Sequence, residues 1–170
     1  RMAYGSRYVI NWYDLLGRQK RVKIFQEDYT GSETEIRADA DPVVLHWEPD
    51  EDVKYPLFRA SSMDLRLISP SRMYYKSLFT SDKFRFLVKY YIDNMVDHKW
   101  QGYLLPDDYS EPYEHENYPV SFKAVDGLGY LANIDFLDDD GEYYTGRKTD
   151  FEIILICLNK LNLENPVMTA

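Results

Sequence analysis

The sequence predicts an α+β domain, mainly antiparallel β, with a short helix and a buried C-terminal helix. Three observations carry this. Aromatic residues make up 16% of the 170 residues, against only 8 Gly and 8 Pro, and aromatic side chains favour pleated, half-buried surfaces. Runs of alternating apolar and polar residues recur between turn signals over the first 125 positions. The period then changes near the C-terminus, where a capping sequence precedes a dense apolar run.

The elements follow in order. Arg7-Tyr8-Val9-Ile10-Asn11-Trp12-Tyr13 and Arg21-Val22-Lys23-Ile24-Phe25-Gln26 flank a turn at Leu16-Gly17-Arg18-Gln19, a hairpin pattern. After a second turn at Tyr29-Thr30-Gly31-Ser32 come Thr34–Arg37 and Val43–Trp47 as strands. Pro49 to Pro56 is acidic and interrupted, so it reads as a loop. Ser62 to Ile68 alternates cleanly as a half-buried strand. Past Pro70, Met73, Tyr74, Leu78 and Phe79 fit one face of a short helix. Lys83 to Tyr91 is the clearest strand, with Phe84, Phe86, Val88 and Tyr90 on one face. Lys99–Leu104 and Tyr118–Val125 are strands around an acidic loop, Pro106 to Tyr118. Asp126 to Ala132 reads as one or two helical turns, Gly127 serving the tight change of direction. Thr149-Asp150-Phe151-Glu152 fits a capping box, and Phe151 to Leu161 holds seven aliphatic or aromatic residues in eleven. That density predicts a helix covered on several sides. No repeat or long linker divides the chain, which reads as a single domain over 7–163, with 1–6 as an N-terminal extension or processing remnant.

Charge and cysteine content narrow the function classes. Twenty Lys and Arg stand against 29 Asp and Glu, a net charge of −9, and no surplus of cations is present to neutralise phosphates. Nucleic-acid binding is therefore not expected. Cys157, the one cysteine, lies in the apolar terminal segment and reads as a buried, inert thiol. With three histidines beside it, a Cys/His zinc site is not expected. No apolar run is long enough for a membrane span, and the first residues show no signal-peptide pattern.

The local motifs that suggest chemistry are weak. Aligning Gly141 of Asp138-Asp139-Asp140-Gly141-Glu142 with the glycine of a calcium loop puts Phe136 at the first ligand position and Arg147 at the twelfth, so the segment reads as an acidic turn. Asp107, Asp108, Glu111, Glu114 and Glu116 share one loop, without the fixed separation that carboxylate catalysis requires. His46 and His98 read as half-buried packing groups. Asp126-Gly127-Leu128-Gly129 lacks the remaining glycine of a dinucleotide fingerprint. Trp47, Trp100 and the tyrosines are capable of stacking on sugars, and more commonly serve cores and interfaces.

Two segments bring a resemblance. Trp100-Gln101-Gly102-Tyr103-Leu104-Leu105-Pro106-Asp107-Asp108-Tyr109-Ser110-Glu111-Pro112-Tyr113, followed by Tyr118-Pro119-Val120-Ser121-Phe122-Lys123-Ala124-Val125-Asp126-Gly127-Leu128-Gly129-Tyr130-Leu131, resembles the N-terminal region of tail hub or baseplate-associated proteins of tailed phages and prophages of gut bacteria. Asp28-Tyr29-Thr30-Gly31 and Tyr144-Thr145-Gly146 agree with it. The resemblance implies a split β-barrel with a packed helix, assembling into a ring that continues the tail tube. It implies a protein made in the host cytoplasm and carried in the virion tail, which self-associates and binds other tail proteins, without catalysis, cofactor or metal. Candidate interface residues are Trp100, Tyr103, Tyr109, Glu111, Tyr113 and Tyr118. The rival readings are a carbohydrate-binding β-domain using Trp47, Trp100 and tyrosines as platforms, and a hydrolase using the carboxylates of the Pro106–Glu116 loop.

Overall fold

The computed structural model describes residues 3–47, 60–93, 96–105, 115–138 and 140–161. It contains two compact units, Arg1–Asp126 and Gly127–Ala170, where the sequence reads as one domain.

The first unit is an eight-stranded sheet. Its strands are β1 (Tyr4–Tyr13), β2 (Gln19–Glu27), β3 (Thr34–Glu35), β4 (Ala38–Trp47), β5 (Ser61–Ser69), β6 (Phe86–Ile92), β7 (His98–Leu104) and β8 (Tyr118–Val125). The spatial order is β3-β1-β2-β6-β7-β8-β5-β4. Every pairing is antiparallel except β1 with β3. This order has two ends, so the ladder does not close into a barrel.

The strands form where alternation is strongest. Met63, Leu65 and Leu67 of β5 and Val120, Phe122 and Ala124 of β8 are buried, while their neighbours face outward. With Tyr8, Ile10, Val22, Ile24, Phe86, Val88 and Tyr90 they make one core. Burial of each large apolar side chain contributes about 1.5–3 kcal/mol, so the alternation fixes which face turns inward. Tyr4, Gly5 and Ser6 pair with Glu27, Gln26 and Phe25. They are therefore strand rather than an N-terminal extension, because a long β2 offers them partners.

Between β5 and β6 the expected helix is not formed. Met73 has φ 59°, a left-handed conformation that breaks a right-handed turn, and only a 3-10 turn, Lys76–Leu78, follows. Met73, Tyr74 and Phe79 are exposed, and Tyr75 and Leu78 enter the core instead. Tyr75 donates to the carbonyl of Ile68 at 2.9 Å, which turns its ring inward with its polar atom satisfied.

The chain between β3 and β4 touches both flanks of the sheet. Thr34 and Glu35 pair with Tyr8 and Val9 of β1, and the Ile36 amide donates to the Val9 carbonyl at 2.8 Å. One residue on, the Ile68 amide of β5 donates to the Arg37 carbonyl at 3.0 Å, and Ala38 pairs with Leu67. One continuous stretch thus supplies both end strands.

The second unit holds a 3-10 turn at Leu128–Asn133, a bridge between Leu137 and Tyr143, and the helix α1 (Asp150–Lys160). Gly127, at φ 85°, makes the turn that a side chain would resist. The capping box is present: Thr149 accepts from the Glu152 amide and Glu152 accepts from the Thr149 amide. The helix is not buried, however. None of its residues is fully covered; Phe151 and Ile153 are exposed, and Cys157 is half-buried. A unit this short encloses a small fraction of its surface, so apolar density marked the helix without ensuring its cover. Among the described residues no helix is long and apolar enough to cross a membrane.

Candidate interaction surface

The residues expected to meet a partner divide into two groups. Tyr109, Glu111 and Tyr113 lie outside the described residues, as does most of the Pro106–Glu116 loop. Trp100, Tyr103 and Tyr118 are described and turn inward, at 7%, 0% and 3% exposure. These three are core residues, because each sits on a strand paired on both sides, where a large ring gains most by burial.

The Trp-x-Gly-Tyr segment has a structural reason. The Trp100 indole donates to the Ser61 hydroxyl at 2.9 Å, and the Ser61 amide and hydroxyl donate to Asp126 Oδ2 at 2.6 and 2.9 Å. The indole lies over Gly102. A Cβ at that position would stand 2.4 Å from Trp100 Cη2 and 2.4 Å from the Val125 carbonyl oxygen. Glycine is what lets the ring and the neighbouring strand approach.

The tyrosines form a second inward network. Tyr4 donates to the Phe84 carbonyl at 2.5 Å. Burial, followed by the nearby Glu27 carboxylate, pushes its phenol up to about 12. Burial also raises the phenols of Tyr75 and Tyr103. Tyr118 donates to the Ser71 carbonyl at 3.4 Å.

What faces solvent is different. His46 is exposed rather than half-buried, with Nε2 3.1 Å from Asp64 Oδ2. It lies on β4, at one end of the strand order, with β5 as its one neighbour among the described residues. His98 is half-buried against Tyr91, as its strand setting suggested. Trp47, the last residue of β4, is 57% exposed. The acidic turn is built as a local loop, Asp138 Oδ1 accepting from the amides of Asp140 and Glu142 at 3.0 and 2.9 Å. Among the described residues no cluster of three or more His, Cys, Asp or Glu could hold a metal ion.

Among the described residues, two strand edges are left open. β4 pairs with β5 on one side only, and β3 covers Tyr8 and Val9 but not the rest of β1 toward Tyr13. Which strands lie at the edges is not readable from the sequence, because edge position depends on strand order. The β1–β2 turn was missed as a surface. There Leu15 is fully exposed and Leu16 is 79% exposed, at positions where turn chemistry favours small polar residues.

No family model, curated protein or solved structure matches this chain.

Proposed function

We propose that the chain is a structural assembly module, acting through strand pairing and packing between subunits, of the kind found in the hub or baseplate rings of phage and prophage tails. The observation that carries the assembly reading is the pair of strand edges on β1 and β4 left open among the described residues. Unpaired strand edges are templates for another strand unless something covers or blunts them. The tail setting rests on the sequence resemblance through Trp100–Tyr113 and Tyr118–Leu131. In this reading the sheet is a split barrel whose gap lies between β1 and β4, and the ring closes by inserting a neighbour's strand there. The sugar-binding alternative keeps Trp47 as an exposed platform but loses Trp100, whose ring is buried.

The test is sizing of the chain by sedimentation beside the variant Val44→Lys. Val44 pairs with Asp64 across the strands, so lysine gains a counter-charge and the fold is kept, while an edge charge opposes strand addition. The expected result is association by the parent, lost in the variant. A strictly monomeric parent that gives clear hits on a glycan array would replace this reading with the sugar-binding one.

A further inference from the structure

The helix α1 is apolar and uncovered at once. None of its residues is buried; Ile153 is 40% exposed and Cys157 half-buried. Asp150, Ile153, Cys157 and Lys160 follow one another at intervals of three, four and three residues. That spacing keeps all four on one stripe of a helix, as in a coiled-coil seam. At the helical turn angle Ile154 and Ile156 border the stripe on its two sides, whereas Glu152 and Asn159 fall on the far side.

The stripe reads the same from either end. Positions 150 and 160, and likewise 153 and 157, lie symmetrically about the level of Leu155. Laid antiparallel against its own copy, the helix sets Asp150 opposite Lys160 of the second copy and Ile153 opposite Cys157 of the second copy. Two-fold symmetry makes each pair twice. Acidic residues occupy the first turn of α1 and the basic one the last. Both ends of the contact therefore join opposite charges, and the two helix dipoles run opposite as well. The small Cys157 side chain leaves room for the branched Ile153 between closely spaced axes. A parallel pair instead puts Asp150 beside Asp150 and Lys160 beside Lys160, which like charges oppose. The charges fix direction and register, and the apolar middle supplies the attraction.

We propose that α1 binds α1 of a second copy as an antiparallel pair, with Asp150 facing Lys160 and Ile153 facing Cys157. The contact goes beyond the strand-edge reading: it uses a separate element and does not require that reading to hold.

The experiment is sedimentation of the full chain from about 1 µM to about 1 mM at low salt, where exposed charge pairs are least screened. The variants are Asp150→Lys and Lys160→Glu, each alone and then mixed. Alone, each opposes like charges at both ends and is expected to associate about tenfold more weakly than the parent. Mixed, the two chains restore opposite charges at both ends, and association is expected to recover. A helix weakened by either substitution cannot produce that recovery, because the mixture holds the same two helices. Register is read separately by mixing the parent with Ile153→Cys/Cys157→Ser under copper phenanthroline. The mixture is expected to cross-link through Cys157 of the parent and the cysteine introduced at 153, and neither chain alone. Like positions are offset by about 6 Å along the axes in addition to the gap between helices, beyond the roughly 7 Å Cα limit of a disulfide. Charge variants that associate like the parent, or cross-linking as fast in the parent alone as in the mixture, overturn the antiparallel pair. Association lost in Val44→Lys but kept in both charge variants overturns it too and leaves the strand-edge reading standing. Association lost in the charge variants but kept in Val44→Lys supports the pair and removes the strand edges. A parent that never associates overturns both.

Discussion

Trp100 and Ser61 are joined by an indole-to-hydroxyl hydrogen bond of 2.9 Å. Although they lie on different strands, a single carboxylate, that of Asp126, holds the serine in place. The residue that looks from sequence like a binding platform is thereby a core residue with its one polar atom satisfied. Trp100→Phe keeps a ring in the site and removes the donor, with some lost volume. The expected cost is about 1–3 kcal/mol, measured by urea unfolding. A variant as stable as the parent would show that the bond contributes nothing net.

Gly102→Ala tests the close approach from the other side. The added methyl meets both the Trp100 ring and the Val125 carbonyl, and a backbone atom yields less easily than a side chain. A loss of about 1–3 kcal/mol is expected. Combining it with Trp100→Phe should cost less than the sum of the two, since the contacts are shared. Additive losses would place the strain at the Val125 carbonyl alone.

The strands were legible because each carries its own record of burial. Met63, Leu65 and Leu67 alternate with Ser62, Asp64 and Arg66, and nothing else is needed to locate β5 or its inward face. The β1–β2 hairpin and the Thr149 capping box were equally local. Strand order was not legible, since the pairing of β2 with β6 and of β5 with β8 depends on which surfaces meet after collapse. That left open which strands would form the edges. Met73 shows a third limit: its neighbours have helical spacing, but its backbone is left-handed and Tyr75 and Leu78 are the residues that enter the core.

Asp14 makes the first turn sensitive to acid. The Arg18 amide bond, with the Arg18 side chain and the Leu16 amide, holds its carboxyl below the usual carboxylate range. A carboxyl lowered in the folded state contributes order above its unfolded value, and that contribution is lost as pH falls through the lowered one. Protection of the Leu16 and Arg18 amides, taken relative to the intrinsic exchange rate at each pH, is therefore expected to fall in acid, below the ordinary carboxylate range. Asp14→Ala should show the low protection already at neutral pH. Exchange at these amides that is indifferent to both changes would rule out the clamp.

The buried phenols set an alkaline limit. Tyr4 is raised from 10.0 to about 12, chiefly by burial, and Tyr75 and Tyr103 are raised in the same direction. A group whose folded pKa exceeds its unfolded one contributes stability that is full below the unfolded value and is lost as pH rises through the folded one. Tm should hold to about pH 10 and decline from there toward pH 12. Tyr4→Phe should soften that decline, most visibly in the first part of the range. A Tm independent of pH up to 12 would mean that the phenols ionise without leaving the core.

The stretch from Thr34 to Trp47 makes the bend of the sheet a matter of thread length. Glu35 is pinned to Val9 and Ala38 to Leu67, and the three peptide units between them reach at most about 11 Å. Strands at opposite ends of the pairing order are thus tied together like the two posts of a gate on a short chain. The sheet cannot flatten without tearing hydrogen bonds at Ile36 or Ile68. Its curvature is therefore carried by the covalent backbone as well as by side-chain packing, and lengthening the tie by a few glycines after Arg37 would release it while leaving every core residue unchanged.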